Sequence, residues 1–233
     1  YQELFQIAAA HGVQLRYEAT VGAGLPVLDT IDKLTTAGDK VLEILGCFSG
    51  TLGYLMTELE DGTSFSSAVR QAFEKGYTEP DPRDDLSGMD VARKALILAR
   101  SMGIAVELSD IALEPLFPAE CSSDDPQTFL NNLKILDDTF VDRMAKAVAK
   151  GSTLRYVARI SPTQVTVGVE EISKSDPLGR LRGTDNQVSI RTMRYNANPL
   201  IVTGPGAGSE VTAAGVLNDI ITIATSQVHE VNP

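Results

Sequence analysis

Gly76-Tyr77-Thr78-Glu79-Pro80-Asp81-Pro82-Arg83-Asp84-Asp85-Leu86-Ser87-Gly88-Met89-Asp90-Val91-Ala92-Arg93-Lys94 sets five carboxylates, three cations and a tyrosine around two prolines. Core packing does not require that density. Pro80 and Pro82 fix φ and push the residues before them into extended geometry, so Glu79 and Asp81 sit on a stiff segment that cannot be helical. Ser87-Gly88-Met89-Asp90 then has the S-x-x-[DE] form of a capping box. Ala92, Lys94, Ala95, Leu96, Leu98 and Ala99 are good helix formers, so a helix is predicted from about Ser87 to Met102. Asp90 and Lys94 lie one turn apart on its surface. Such a pair can be a solvated i,i+4 contact of roughly 0.2–0.5 kcal/mol. The apolar residues Leu96, Ile97, Leu98, Ala99 and Met102 give a second reading, because they make the helix apolar over most of its circumference. A lysine at the polar mouth of a buried helix is suited to proton transfer or to orienting a substrate.

The chain has 233 residues, 43% of them hydrophobic, which is enough for one sizeable core or for a main domain plus part of another. A formal net charge of −11 disfavours nucleic acid and anionic membranes as partners, since either would repel the surface on average. The sequence lacks a window of about eighteen apolar residues and a basic-then-apolar leader, so neither a membrane span nor a secretory signal is expected. Cys47 and Cys121 are too few and too far apart for a disulfide framework or a C-x-x-C site. They point to a reducing compartment, the cytoplasm, or a plastid if the source is a plant. His11 and His229 have no metal-ligating neighbours at zinc spacing. Without G-x-S-x-G or a Cys/His nucleophile pattern, acyl transfer is disfavoured.

Along the chain, Gln2–Ala10 reads as a helix end and Val13–Ala19 as a strand entering the turn Gly22-Ala23-Gly24. A helix is expected over Val27–Leu34, a strand over Val41–Phe48, and helices over Thr51–Leu59 and Phe65–Glu74. Cys121–Gln127 reads as a loop and Phe140–Lys150 as a helix. From Leu154 the period becomes two: Leu154, Tyr156, Ala158 and Ile160 alternate with Arg155 and Arg159, and Val165, Val167 and Val169 follow suit. That predicts an antiparallel pair with one wet face. Val188–Tyr195 and Leu200–Thr203 continue the sheet, and a last helix spans about Val211–Val228. Gly22-Ala23-Gly24 alone reads as a tight turn. Gly204-Pro205-Gly206-Ala207-Gly208 before a helix reads equally as a hinge or as free N–H groups for a phosphate or amide. Ser49-Gly50-Thr51 is first of all a cap.

Gly76–Lys94, together with Tyr17-Glu18-Ala19-Thr20-Val21-Gly22-Ala23-Gly24-Leu25-Pro26, Ser49-Gly50-Thr51-Leu52 and Gly206–Val216 in that order, resembles the homoserine dehydrogenase family. Those enzymes interconvert L-homoserine and L-aspartate 4-semialdehyde with NAD or NADP in threonine and methionine biosynthesis. The resemblance covers nearly the whole chain but not the family's N-terminal nucleotide-binding half, since no G-x-G-x-x-G lies between a strand and a helix. The ending Val228–Pro233 resembles that of bifunctional aspartokinase–homoserine dehydrogenases. The implied fold class is α/β: an α+β substrate domain whose mixed or antiparallel sheet is covered by helices, plus remnants of a Rossmann-like domain. Residues 1–24 and 198–233 would belong to the nucleotide-binding domain, and residues 25–197 to substrate binding and dimerisation.

By the same resemblance Lys94 is the catalytic candidate, with Asp90 orienting it. Glu79 and Asp85 would meet the substrate ammonium or support the lysine, and Gly50, Thr51 and Tyr77 would line the pocket. Gly206 and Gly208 would contact the cofactor. Glu18, Val21, Ala23 and Leu25 would bind a monovalent cation, sodium or potassium, largely through backbone carbonyls. The family's second active-site lysine lies upstream, and the two lysines' roles are not separable from this chain. A homodimer or higher homo-oligomer is implied. The rival expectation is a non-catalytic dimerisation module with a decayed site, against which the intact Glu79/Asp85/Asp90/Lys94 set argues. This region alone is not expected to turn over.

Overall fold

The computed structural model describes residues 1–229, with side chains to residue 226; the His229 side chain and the ending read at 230–233 lie outside the described residues. In chain order the elements are α1 (Gln2–Ala10), α2 (Val27–Thr36), β1 (Val41–Cys47), α3 (Gly50–Glu60), α4 (Phe65–Glu74), α5 (Pro82–Leu86) and α6 (Met89–Ser101). They continue with β2 (Ala112–Leu113), α7 (Pro126–Asn132), α8 (Asp137–Ala149), β3 (Ser152–Ser161), β4 (Gln164–Ser173), β5 (Asp185–Thr192), β6 (Leu200–Pro205) and α9 (Ser209–His229). The six strands form one sheet in the order β2-β4-β3-β1-β5-β6. Only β2 on β4 is parallel, and the other ladders are antiparallel. The chain is therefore α/β with a mixed sheet, as expected.

One sheet face is apolar, and its side chains follow from the register. Ile44 stands opposite Ile160 and Ile190, Tyr156 opposite Val169, and Ala158 opposite Val167. All of these are buried against α3, α6 and α8. Strand residues two apart share a face, so alternation dictates which side chains enter this core.

Four expectations are corrected. Val13–Ala19 is not a strand: residues 13–17 run without a ladder into a 3-10 turn at Glu18–Thr20. The Glu18 N–H is taken by the Asp219 carboxylate of α9 at 3.0 Å, not by a neighbouring strand. The capping box at Ser87 does not form. Helix α6 starts at Met89 behind Gly88, at φ +71°, and Ser87 Oγ accepts from the Met89 N–H at 3.2 Å. Residues 82–86 make their own short helix, with Asp81 as N-cap and Pro82 in the first turn, where a missing N–H costs nothing. Cys121–Gln127 is not all loop, because Pro126 opens α7 and Asp125 caps it through the Thr128 N–H.

The face of β3 expected to be wet is, fourth, covered. Arg155 there is only 2% exposed, since residues 174–183 fold over it. Its guanidinium donates to the Glu60 carboxylate at 2.9 Å, the Gly179 carbonyl at 2.8 Å, the Leu154 carbonyl at 2.8 Å and the Thr153 hydroxyl at 3.1 Å. Lys174 adds a second cation to Glu60 at 2.9 Å. Although burial would raise it, these partners hold the Glu60 carboxyl at about 2. Cys47, Val157, Ile172, Leu178 and Leu181 form a small second core beside this pair.

Gly88 cannot be another residue without rearrangement. Its φ is left-handed, and a Cβ would overlap the Tyr156 hydroxyl. That hydroxyl donates to the Glu114 carbonyl at 2.8 Å, so the start of α6, and with it the height of Asp90 and Lys94, is set against β3. Among the described residues no helix is long and apolar enough to cross a membrane.

Candidate active site

Strand β1 ends at Cys47, and Phe48 and Ser49 carry the chain into α3. Ser49 is extended, at φ −132°, and its hydroxyl accepts from the Leu52 N–H at 3.2 Å, the capping role read in the sequence. The first turn of α3 approaches the 183–184 backbone so closely that a Cβ at Gly50 would lie 3.0 Å from the Thr184 carbonyl. The Thr51 hydroxyl donates to the Tyr77 carbonyl at 2.6 Å, anchoring the acidic segment to α3. Asp85 accepts from the Glu79 N–H at 2.7 Å and so holds the turn that presents Glu79. Burial pushes the Asp85 carboxyl up from its usual range, against the Glu79 N–H and the Thr51 hydroxyl, which pull it down.

Lys94 reaches from α6 to the same place. Its Nζ is 2.7 Å from Asp90 Oδ2 and donates to the Phe48 carbonyl at 2.9 Å. The lysine side chain is 20% exposed and the aspartate 61%. An ammonium has three donors, and these two contacts leave one for the cleft. Phe48 was not read from the sequence as a site residue, because it acts through its carbonyl, which carries no side-chain signal. Its ring lies against Gly46, where a Cβ would overlap ring carbons, and the glycine at that strand position was the available clue.

A cleft of about 480 Å³ opens between these groups and the loop before α9. It brings together Gly50, Thr51, Tyr77, Glu79, Asp85, Asp90 and Lys94 on one side, and Gly206 and Gly208 on the other. Thr184, which the sequence did not single out, and Pro205 of the glycine cluster also line it. The loop at the start of a helix of 21 residues lines this space, and a helix N-terminus favours an anionic or carbonyl-bearing ligand.

Glu18, Val21, Ala23 and Leu25 lie elsewhere, under α9. The Glu18 carboxylate accepts from the N–H groups of Leu28 at 2.8 Å and Asp29 at 2.7 Å, capping α2, and burial raises its proton affinity. It is committed to the helix, so a cation here would rest on backbone carbonyls. Gly22 and Ala23 take left-handed φ values of +80° and +55°, which turn successive peptide groups. Among the described residues no cluster of three or more His, Cys, Asp or Glu side chains is placed to hold a metal ion.

The homoserine dehydrogenase family model matches residues 26–221, and the chain belongs to that family. It is 46% identical over 230 residues to a chloroplastic bifunctional aspartokinase/homoserine dehydrogenase 2 of Zea mays, covering 97% of this chain and 25% of that protein. A crystal structure of a Candida auris protein of unknown function superposes with a TM-score of 0.90 at 43% identity, covering 95% of this chain and 64% of the other. A hyperthermophilic archaeal homoserine dehydrogenase in complex with NADPH superposes with a TM-score of 0.74 at 25% identity, covering 97% and 60%. The chain thus spans about a quarter of the plant protein's length and less than two thirds of either solved chain.

Proposed function

We propose that this chain is the substrate-binding and assembly region of a homoserine dehydrogenase that interconverts L-homoserine and L-aspartate 4-semialdehyde with NADP or NAD. The observation that carries the reading is Lys94, clamped between Asp90 and the Phe48 carbonyl and facing a glycine loop across one cleft. The bound nicotinamide would supply or accept the hydride at the carbon bearing the substrate oxygen. The third N–H of Lys94 binds that oxygen and carries the proton that passes to or from it. Asp90 and the Phe48 carbonyl fix the lysine's direction, so its remaining donor is already aimed. Asp85 and Glu79 receive the substrate ammonium, and Tyr77 and Thr51 close the near wall. The Gly206-Ala207-Gly208 backbone, with a single methyl side chain, fits a flat cofactor ring. Sodium or potassium fits the carbonyls of Glu18, Val21, Ala23 and Leu25 better than a transition metal does, since those ligands are all oxygen.

The division read from sequence supports the same picture. Leu4 and Ile7 on α1, and Leu217, Ile220 and Ile221 on α9, stand 49–61% exposed, as expected of surfaces that meet a nucleotide-binding domain. Residues 1–24 and most of 198–233 would form part of that domain and residues 25–197 the substrate and dimerisation domain, with β6 (Leu200–Pro205) completing the sheet of the latter. The relatives' plastid and bacterial sources fit a cytoplasmic or plastid location. The complete gene product should reduce aspartate 4-semialdehyde with NADPH; a folded protein without that activity would leave the decayed-module reading standing.

The open sheet face is the proposed two-fold interface. It carries Leu45 and Ile201 among charges that are already paired within the chain: Arg159 with Glu43 at 2.9 Å and Glu170 at 2.6 Å, and Arg191 with Glu43 at 3.1 Å. A second copy can cover such a face without leaving an uncompensated ion. Sedimentation should show a dimer or larger assembly, and a monomer at micromolar concentration would overturn this.

A further inference from the structure

One polar side chain directly behind the wall of the cleft makes no hydrogen bond among the described residues. Asn186, on β5, is fully buried, and neither its Nδ2 nor its Oδ1 has a hydrogen-bond partner among the described residues. Buried amides are nearly always satisfied, and this one sits where β5 and β6 part: Asn186 pairs with Gly204 in the ladder, and the last pair is Asp185 with Pro205. Beyond that point the chain turns into the glycine loop. Gly206 passes over the Asn186 amide so closely that a Cβ on it would overlap the carboxamide carbon and nitrogen. No side chain separates the amide from the backbone that lines the cleft. The N–H groups of Ala207 and Gly208, at the head of α9, likewise have no acceptor among the described residues. Exposed loop N–H groups and an unsatisfied buried amide thus lie on the two sides of one peptide segment, which lines the cleft with Lys94.

We propose that Asn186 is a positioning residue for the nicotinamide cofactor: its amide pairs with the Gly206–Gly208 backbone when the loop closes on the cofactor's carboxamide-bearing ring. The inference rests on the dehydrogenase reading of the site. In the ligand-free protein the amide contributes no hydrogen bond, so an apolar side chain of similar volume should serve the fold as well. With cofactor present the amide holds the loop's peptide groups in place, and the loop's free N–H groups are directed at the ligand. Asn186 touches neither substrate nor cofactor and acts through the loop alone.

The test is Asn186→Leu in the complete gene product, read by NADPH fluorescence titration and by thermal melting without ligand. The expected result is an unchanged or higher melting temperature with NADPH binding weaker by about tenfold, the equivalent of one lost hydrogen bond. The KM for homoserine at saturating cofactor should stay within about twofold, because the substrate side of the cleft is untouched. Asn186→Gln, which keeps the amide but lengthens it, should weaken NADPH less than the leucine does. A clear fall in melting temperature with NADPH affinity unchanged would make Asn186 a structural residue and overturn the proposal. So would a leucine variant that binds NADPH as the parent does. Failure of the parent protein itself to bind NADPH would instead overturn the dehydrogenase reading on which the proposal stands.

Discussion

Lys94→Ala in the complete gene product should lower kcat for homoserine oxidation by about 10²–10⁴-fold, the usual contribution of a positioned proton-transfer group. KM should move far less, because the lost contact strengthens chiefly in the transition state. Asp90→Ala should also be damaging, though less so: the Phe48 carbonyl still holds Nζ at 2.9 Å, so one of two anchors survives. Arg93→Ala is the control. Arg93 is exposed, one residue along and turned to another side of α6, and its loss should be nearly silent. The three variants should be compared at matched melting temperatures. Near-normal kcat for Lys94→Ala, with a large loss for Arg93→Ala, would remove Lys94 from the chemistry.

The largest stability effect should come from Glu60→Gln, away from the cleft. It leaves Arg155, 2% exposed, without its carboxylate, and a broken buried pair costs about 3–5 kcal/mol. Arg155→Met, which removes the charge and fills much of its volume, should cost less. The pH dependence has a definite sign. The Glu60 carboxyl lies at about 2 in the folded chain, against 4.5 ordinarily, so its contribution is complete above 4.5 and is lost as pH falls towards 2. The difference in stability between the parent and Glu60→Gln should therefore be largest near neutrality and close between pH 4.5 and 2. A difference that is small at neutral pH, or constant down to pH 2, would show that Glu60 does not compensate Arg155.

Much of this arrangement could be read from residue order, for physical reasons that also explain where the reading stopped. Alternating valines and isoleucines identified β3 and β4, because a strand's two faces differ and the period survives in the sequence. The i,i+4 spacing of Asp90 and Lys94 survives in the same way. What failed was information carried by backbone or by distant cover. The Phe48 carbonyl and the close approach of Thr184 to Gly50 have no side-chain signature. Alternation told which side of β3 Arg155 occupies but not that residues 174–183 would lie over it. Residues 13–17 look strand-like, yet the neighbouring chain there is a helix, so no ladder forms. Asn186 resembles any strand-end polar residue until Gly206 is seen above it.

Helix α9 and the turn after Glu18 meet at backbone distance, with side-chain hydrogen bonds on either side. A Cβ at Gly24 would overlap the Val211 carbonyl, and one at Gly215 would stand 3.0 Å from the Ala23 carbonyl. Asp219 binds the Glu18 N–H, and Gln14 reaches Ser226 at 2.9 Å. Contacts this tight do not slide, so the two ends of the chain move as one piece. Glu18, bound to α9 on one side and capping α2 on the other, fastens that piece to the body beyond Leu25–Pro26, so any opening and closing of the cleft falls to the Gly204–Gly208 segment. The glycine loop would thereby be both the wall that meets the cofactor and the axle about which that wall swings.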